Sequence, residues 1–174
     1  MDIKPRLRFD ERQIRDIASR YQYYLDDDEL VRLKPLIAER GCLEKSELRT
    51  VAHWKAPRSA RHVEKNTEEY VREITHFALH ACTERARIES LSLLDGVLAP
   101  SASVILHFFH HAPYPVLDFR ALWSVSLEVP NDYDFDFWWT YVQFCRELSA
   151  RNGVDMRTFD KALWQYSREK QPRG

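Results

Sequence analysis

Apolar side chains recur at the spacing of an α-helix along nearly the whole sequence. One stripe joins Ile14 and Ile17, and a longer one joins Ile74, Phe77 and Ala81. No sustained alternation of apolar and polar residues, the pattern of a half-buried strand, is visible. The chain has only 4 glycines, which disfavours the many tight turns of an all-β fold. The pattern predicts an all-α fold of roughly eight to ten helices.

Length and composition narrow the class of protein further. A chain of 174 residues predicts a single domain over 1–174, here a compact two-lobed helical bundle. Hydrophobic residues make up 44% and aromatic residues 13% of the chain, which excludes disorder as the dominant state. No apolar run approaches the roughly 18 residues of a membrane-spanning helix, so no membrane contact is expected. The charged N-terminus does not resemble a secretory signal, and a cytoplasmic location is expected.

Cysteine and charge counts exclude some kinds of site. Cys42, Cys82 and Cys145 are too few for a four-cysteine zinc or iron–sulfur centre within the chain. The 26 basic and 27 acidic residues give a net charge of −1, so the protein is not a strongly basic nucleic-acid binder. No Gly-rich phosphate loop is present. No cofactor and no metal are expected.

Residues 91–123 carry the most specific pattern. They predict a helix, a tight hairpin at Asp95–Ala99, a second helix, a proline loop, and Asp118 opening a third helix. Gly96 allows the hairpin backbone to approach a ligand closely, and a helix N-terminus offers N–H groups and a positive dipole to a phosphate. The alternative is that Asp95 and Gly96 form an ordinary turn between two helices.

The sequence Leu94-Asp95-Gly96-Val97-Leu98, followed by Ala102, resembles the hairpin of the helix-hairpin-helix DNA glycosylase superfamily. That hairpin commonly reads Leu-Pro-Gly-Val-Gly, with an alanine early in the next helix. The family's Gly/Pro-rich loop ends in an aspartate, and Asp118 lies 22 residues beyond Gly96. The chain is similar to a small, divergent member related to the 8-oxoguanine glycosylase-like proteins.

The resemblance implies a motif and a cleft. The hairpin would extend over about 83–110, with the proline loop and the aspartate at 113–118. Both would face a central cleft between two lobes. The resemblance is confined to residues 91–123, while the helical pattern of the remaining chain is compatible with it.

Four departures from the family pattern bear on the chemistry. Leu98 replaces the second hairpin glycine, and Arg120 stands in a shifted place for the usual arginine beyond the aspartate. Pro100 corresponds most nearly to the lysine of bifunctional members, so no Schiff base forms from this position. The four-cysteine cluster of one branch is absent. The resemblance therefore implies a monofunctional enzyme.

Asp118 is the catalytic residue that the resemblance implies. A fixed carboxylate stabilises the oxocarbenium character that develops on the sugar when an N-glycosidic bond breaks, and it can orient the attacking water. The amides and dipole of the following helix favour the ionised carboxylate. The alternative is that Asp118 only caps the helix, and the two roles are compatible.

Other residues are candidates for DNA contact. Trp54, Lys55, Arg58 and Arg61 form a basic and aromatic patch around a proline loop, which can clamp phosphates or stack a flipped base, or else is simply a solvated loop. Lys55 is the alternative amine nucleophile. The candidates for DNA contact are Gly96, Leu98, Lys55, Arg58, Arg61 and Arg120, and those for the base pocket are Trp54, His110 and Trp123.

Two further groups of residues have ordinary explanations. His76 and His80 are spaced like a metal pair, but the sequence places no third ligand beside them. Trp138, Trp139, Tyr141 and Phe144 are expected in the core, unless one of them shapes the base pocket.

The predicted function is base excision by a monofunctional DNA glycosylase. The enzyme would flip a nucleotide out of double-stranded DNA, hydrolyse its N-glycosidic bond and leave an abasic site. Its substrate would be a damaged base in DNA repair, or a modified phage base in antiviral defence, at the bacterial nucleoid. The alternatives are a non-catalytic helix-hairpin-helix DNA-binding module and a helical protein-interaction domain.

Overall fold

The computed structural model describes residues 4–23 and 27–172 and contains no β-strand in those ranges. The predicted all-α fold class is therefore confirmed. The chain divides into two compact units. The terminal unit comprises the described parts of Met1–Tyr23 and Pro113–Gly174, and the central unit comprises the described part of Tyr24–Ala112.

The described residues form nine α-helices and two short 3₁₀ helices. The α-helices are α1 (Ile14–Ser19), α2 (Asp28–Arg40), α3 (Lys45–Lys55), α4 (Glu68–His80), α5 (Glu84–Leu91), α6 (Ala99–Phe109), α7 (Phe119–Ser124), α8 (Phe135–Arg151) and α9 (Met156–Lys170). The 3₁₀ helices are Glu11–Gln13 and Ala60–Lys65.

Side-chain caps explain where several helices begin. The hydroxyl of Thr67 accepts a hydrogen bond from Tyr70 N at the start of α4, and Thr83 caps α5 in the same way. The carboxylate of Asp134 accepts from Phe137 N at 2.8 Å and begins α8. Each cap satisfies a backbone N–H that has no partner within its helix, so these short polar residues set the helix boundaries.

Helix α6 lies in the core of the central unit, where it packs against α2, α3 and α5. Its residues Val104, Ile105 and Leu106 are completely buried. A helix that is apolar on all sides needs neighbours on all sides. Residues 99–109 accordingly include no Asp, Glu, Lys or Arg.

Helix α9 organises the terminal unit by packing against α1, α7 and α8. The residues of this unit that are most completely buried include Ile14, Tyr114, Leu122, Trp138, Tyr141, Phe159 and Leu163. The N-terminal segment joins the same unit, since Arg6 N donates to Val125 O and Arg8 N donates to Ser124 O, both at 2.9 Å.

Local backbone chemistry explains two further helix features. Helix α2 runs through Pro35; Pro35 and Val31 lie on the exposed side, where water can satisfy the Val31 carbonyl that loses its partner. Helix α5 ends at Leu91, because the following amides bond three residues back and tighten the chain into turns.

Among the described residues, no helix has the length and apolar character needed to cross a membrane.

The three cysteines differ in exposure, which predicts selective reactivity. Cys82 is exposed, whereas Cys42 and Cys145 are buried. Burial raises the pKa of Cys145, so its reactive thiolate is suppressed. We expect one fast-reacting thiol when the native protein is titrated with a chromogenic disulfide, and three after unfolding. Cys82→Ser should abolish the fast phase; two fast thiols in the native protein would contradict this assignment.

Candidate functional site

The turn between α5 and α6, residues 92–98, is anchored by buried side chains and presents exposed apolar ones. Leu94 and Val97 are 2% exposed, whereas Leu93 is 60% and Leu98 is 73% exposed. The amide of Val97 donates to Leu94 O at 3.1 Å and closes the turn. Leu98, which precedes the first residue of α6, is therefore open to a partner.

Gly96 has a structural role that the sequence did not reveal. Its φ is +80°, and a Cβ at this position would lie 2.9 Å from Val63 N and 3.0 Å from His62 Cβ. The close approach that glycine permits is therefore made to the Ala60–Lys65 helix. This corrects the explanation that Gly96 is needed for the approach of a ligand, because the space beside its Cα is already filled.

The side chain of Asn66 holds the turn in place through hydrogen bonds, and the sequence analysis did not predict it as a site residue. Its side-chain amide donates to Asp95 O at 3.0 Å, and its side-chain oxygen accepts from Asp95 N at 2.9 Å. The same amide donates to Val63 O. Asn66 is 3% exposed, so these buried bonds fix the turn to the Ala60–Lys65 helix.

Positive charge is concentrated beside this turn. Arg58, Arg61 and Lys65 are exposed, and no described carboxylate forms an ion pair with any of them. Glu64 in the same segment pairs with Arg49 and with Lys45. The segment 58–65 thus presents positive side chains although the whole chain is nearly neutral. Lys55, at the end of α3, is half-buried.

The structure does not bring Trp54 and His110 into one pocket. Trp54 is 7% exposed, and its ring packs edge-on against Phe108 at 5.6 Å within the core of the central unit. His110 is 6% exposed and lines a cavity whose walls do not include Trp54. The prediction that Trp54 receives a flipped base is wrong in this conformation, because its ring is already buried against protein.

In the terminal unit, Asp118 begins α7, as the sequence predicted. Its Oδ1 accepts from Arg120 N at 2.9 Å, and the residue is half-buried. Burial and the negative charge of Asp118 raise the pKa of Tyr133. The carboxylate therefore lies near a phenol that stays protonated and at the end of a helix dipole that favours negative charge.

The proline loop that leads into Asp118 is held on both sides of Val116. Its N–H donates to Asp160 Oδ1 at 3.0 Å, and its carbonyl accepts from the Tyr141 hydroxyl at 3.2 Å. Asp160 is 5% exposed and pairs with Arg157 at 2.6 Å. Arg146 Nε donates to Pro113 O at 2.7 Å. These bonds fix the backbone just before Asp118.

Sequence reasoning missed Asp160, Arg157 and Arg146 as residues that support the loop. They belong to α8 and α9, far along the chain from the loop. The one available signal was an aspartate placed among the apolar residues of an amphipathic helix. Tyr141 was expected in the core, and its burial confirms that expectation.

Arg120 and Trp123 pack within the terminal unit. The Arg120 guanidinium lies over the rings of Phe119 and Trp164, at 5.1 and 5.5 Å from their centroids. Trp123 stacks on Tyr166 at 5.9 Å, and the guanidinium of Arg8 lies 4.6 Å from its ring centroid. Trp123 is half-buried and in contact with protein side chains, and its role in binding a base stays a prediction.

The predicted site residues fall into two groups. Lys55, Arg58, Arg61, Gly96 and Leu98 belong to the central unit, whereas Asp118 and Arg120 belong to the terminal unit. Within the central unit, the turn and the basic segment are brought together through Gly96 and Asn66. The shared cleft stays a prediction.

Comparisons of the chain with protein-family models, with curated proteins and with solved structures found no match in any of the three.

Proposed function

We propose that the protein is a monofunctional DNA glycosylase that hydrolyses the N-glycosidic bond of a flipped damaged or modified base. The observation that carries the proposal is the placement of Asp118 at the start of α7, on a loop whose backbone is fixed by Asp160, Tyr141 and Arg146. A preorganised carboxylate stabilises a developing cation without the need to reorganise during the reaction.

The proposed reaction needs no metal or covalent intermediate. The bond between the sugar carbon and the base nitrogen breaks, and the base leaves with the electron pair and takes up a proton. The Asp118 carboxylate stabilises the positive sugar, and water adds to that carbon as it gives up a proton. Pro100, in the first turn of α6, cannot supply an amine nucleophile. The product is an intact strand with an abasic site.

The central unit supplies the proposed contact with duplex DNA. Arg58, Arg61 and Lys65 would contact phosphates, and the N-terminal amides of α6 would donate to a further phosphate oxygen. The exposed Leu98 side chain would meet the duplex beside them. A net charge close to zero is compatible with this contact, because the attraction of phosphates depends on the charges nearby rather than on the sum over the chain.

The direct test is incubation of the protein with duplexes that each carry one damaged or modified base. We expect strand breaks only after alkali or heat has cleaved the abasic product. Trapping of a protein–DNA adduct by borohydride would instead indicate an amine nucleophile, with Lys55 the first candidate. Absence of base release across the panel would overturn the proposed activity.

A second candidate is a non-catalytic DNA-binding module. The observation that favours it is the hydrogen bond from Arg120 N to Asp118, which gives the carboxylate a sufficient role as a helix cap. Such a module would shift duplex DNA in a mobility assay but release no base. A helical protein-interaction domain would do neither.

Neutralising the basic segment should weaken DNA binding in a salt-dependent way. For Arg58→Gln with Arg61→Gln we expect the negative slope of log K for association against log salt to become shallower by about 2, since each lost phosphate contact reduces its magnitude by about 0.9. Fluorescence anisotropy over a salt series measures this slope. Arg32→Gln with Lys34→Gln removes the same charge from exposed positions of α2 and is the matched control. Equal slopes for both variants would contradict the assignment.

A further inference from the structure

Two exposed histidines lie one turn apart at the C-terminal end of α4. The ring centroids of His76 and His80 are 4.2 Å apart, and the two ring planes are tilted by 33°. Histidines at positions i and i+4 lie on one face of a helix, which is the spacing that zinc-binding helices use to hold one ion with two imidazoles. The end of α4 therefore presents two imidazole rings side by side.

Backbone carbonyls determine which nitrogen of each ring can bind an ion. His76 Nδ1 lies 3.2 Å from the carbonyl of Gly41, and His80 Nδ1 lies 2.8 Å from the carbonyl of His76. A carbonyl can only accept, so in the neutral rings Nδ1 carries the proton and Nε2 carries the lone pair. Metal-binding histidines commonly donate their other ring N–H to a carbonyl, which orients the ring and raises the basicity of the ligating nitrogen.

No protein group competes with an ion for these two nitrogens. Among the described residues, neither His76 Nε2 nor His80 Nε2 has a hydrogen-bond or ion-pair partner. Gly41 borders both rings, since a Cβ there would lie 3.4 Å from His76 Nδ1 and 3.5 Å from His80 Nε2. The lack of a side chain at Gly41 therefore leaves space beside the pair.

A second pair of histidines packs in the same way but cannot bind an ion. The ring centroids of His110 and His111 are also 4.2 Å apart, with planes tilted by 30°. However, His110 Nδ1 accepts a hydrogen bond from Ala112 N at 3.0 Å, and His110 Nε2 is buried. Neither nitrogen of His110 can therefore reach an ion from solvent, and His111 is a matched control for the pair on α4.

We propose that His76 and His80 chelate a late first-row divalent cation, such as Zn²⁺ or Ni²⁺, through their Nε2 atoms. Imidazole nitrogen suits these ions, whereas Mg²⁺ prefers oxygen ligands. Water would fill the remaining positions, since no three His, Cys, Asp or Glu side chains of residues 4–23 and 27–172 are grouped so that they could hold a metal. The proposal departs from the expectation of no metal, which followed from the missing third ligand. The site belongs to the central unit and does not depend on the proposed glycosylase function.

Calorimetric titration of the full chain with ZnCl₂ or NiCl₂ tests the proposal. At about pH 7.5, where free imidazole is largely neutral, we expect saturable binding of one ion per chain. MgCl₂ should show no saturable binding, because this ion needs oxygen ligands. If neither Zn²⁺ nor Ni²⁺ gives saturable binding, or if Mg²⁺ binds as tightly as they do, the proposal is overturned.

Single and double variants show whether the two rings bind one ion together. His76→Ala and His80→Ala should each weaken binding by about 10-fold or more, because the second ligand of a chelate binds at a high effective concentration. Both positions are exposed and helical, and alanine favours a helix, so the fold is retained. The double variant should bind little more weakly than either single one. Two independent sites would instead lose one ion per chain in each variant at unchanged affinity, which contradicts chelation.

Two further substitutions are controls. His111→Ala changes an exposed histidine of the second pair, and Cys82→Ser removes the exposed thiol that follows α4. Both variants should bind Zn²⁺ as the wild-type protein does. Loss of binding in either variant, with the affinity of His76→Ala and His80→Ala unchanged, would assign the ion to that side chain and overturn the proposal.

The nitrogen resonances of the imidazoles identify the ligating atoms. In long-range proton–nitrogen NMR spectra, Zn²⁺ should shift the Nε2 signals of His76 and His80. Their Nδ1 atoms should stay protonated, because they donate to the carbonyls of Gly41 and His76. Ligation through Nδ1, or shifts confined to other histidines, would show that the ion binds in another way and would refute the proposed site.

Discussion

Asp118→Asn is expected to abolish nearly all base release while the protein stays folded and still binds duplex DNA. The loss should be about 100-fold or more, as for removal of one strong electrostatic stabiliser of a transition state. Asparagine has almost the same size as aspartate but no negative charge, so it cannot stabilise the positive sugar. Single-turnover excision on the preferred duplex measures the effect directly.

The same substitution should hardly change stability. Asparagine caps helices about as well as aspartate does, so its oxygen can still accept from Arg120 N, and the free energy of unfolding should change by no more than about 1 kcal/mol. The bonds that Val116 makes with Asp160 and Tyr141 do not involve Asp118 and keep the loop in place. Stability and catalysis are therefore separable at this position.

Asp134→Asn is the matched control in the same unit. Asp134 caps α8 through a 2.8 Å hydrogen bond from Phe137 N, so the substitution removes the same charge from the same kind of cap. It should leave excision unchanged. If Asp118→Asn also retained normal excision, Asp118 would be only a cap. If Asp118→Asn unfolded, Asp118→Glu would keep the charge and test the role of its position.

Helices and caps could be predicted from the sequence because they depend on neighbours in the chain. Thr83 and Asp134 precede their helices directly, and Pro100 occupies the first turn of α6. The cap of Asp118 was predictable for the same reason. Each of these features involves bonds or backbone preferences within a few residues, which a sequence pattern displays.

The hydrogen bonds that hold the candidate site in place could not be predicted from the sequence, because they join residues that are distant along the chain. The pairing of Asn66 with Asp95 spans 29 positions, and the bond between Val116 and Asp160 spans 44. No local preference marks Asn66 as a clamp rather than a cap. The burial of Trp54 against Phe108 was hidden for the same reason, since exposure is decided by tertiary packing rather than by the proline loop beside it.

The sequence also could not show which acidic and basic residues form ion pairs. The composition gives nearly equal numbers of acidic and basic residues, yet it does not show which of them neutralise one another. Glu64 is close in sequence to Arg61 and Lys65 but pairs with Arg49 and Lys45 of α3. The local positive surface therefore follows from the fold, and the proposed phosphate contact depends on that arrangement rather than on the net charge.

Gly96→Ala is expected to destabilise the protein by about 3 kcal/mol, the larger share of which comes from a backbone clash. An alanine at a φ of +80° bears a strain of about 1–2 kcal/mol. Its Cβ would also lie 2.9 Å from Val63 N, and forcing extra volume into a packed site costs about 1–3 kcal/mol. Because Asn66 ties both segments together, neither backbone can retreat easily.

Two other glycines with positive φ separate the strain from the clash. A Cβ at Gly153 would meet only Arg15, at 4.0 Å, and one at Gly41 would meet the movable side chain of His80 at 3.0 Å. Gly153→Ala and Gly41→Ala should therefore cost about 1–2 kcal/mol each, the backbone strain alone. Urea unfolding of the three variants measures the series. If Gly96→Ala were no more destabilising than Gly153→Ala, the contact with Val63 would not hold the turn, and the freedom of Gly96 would again be available to a bound phosphate.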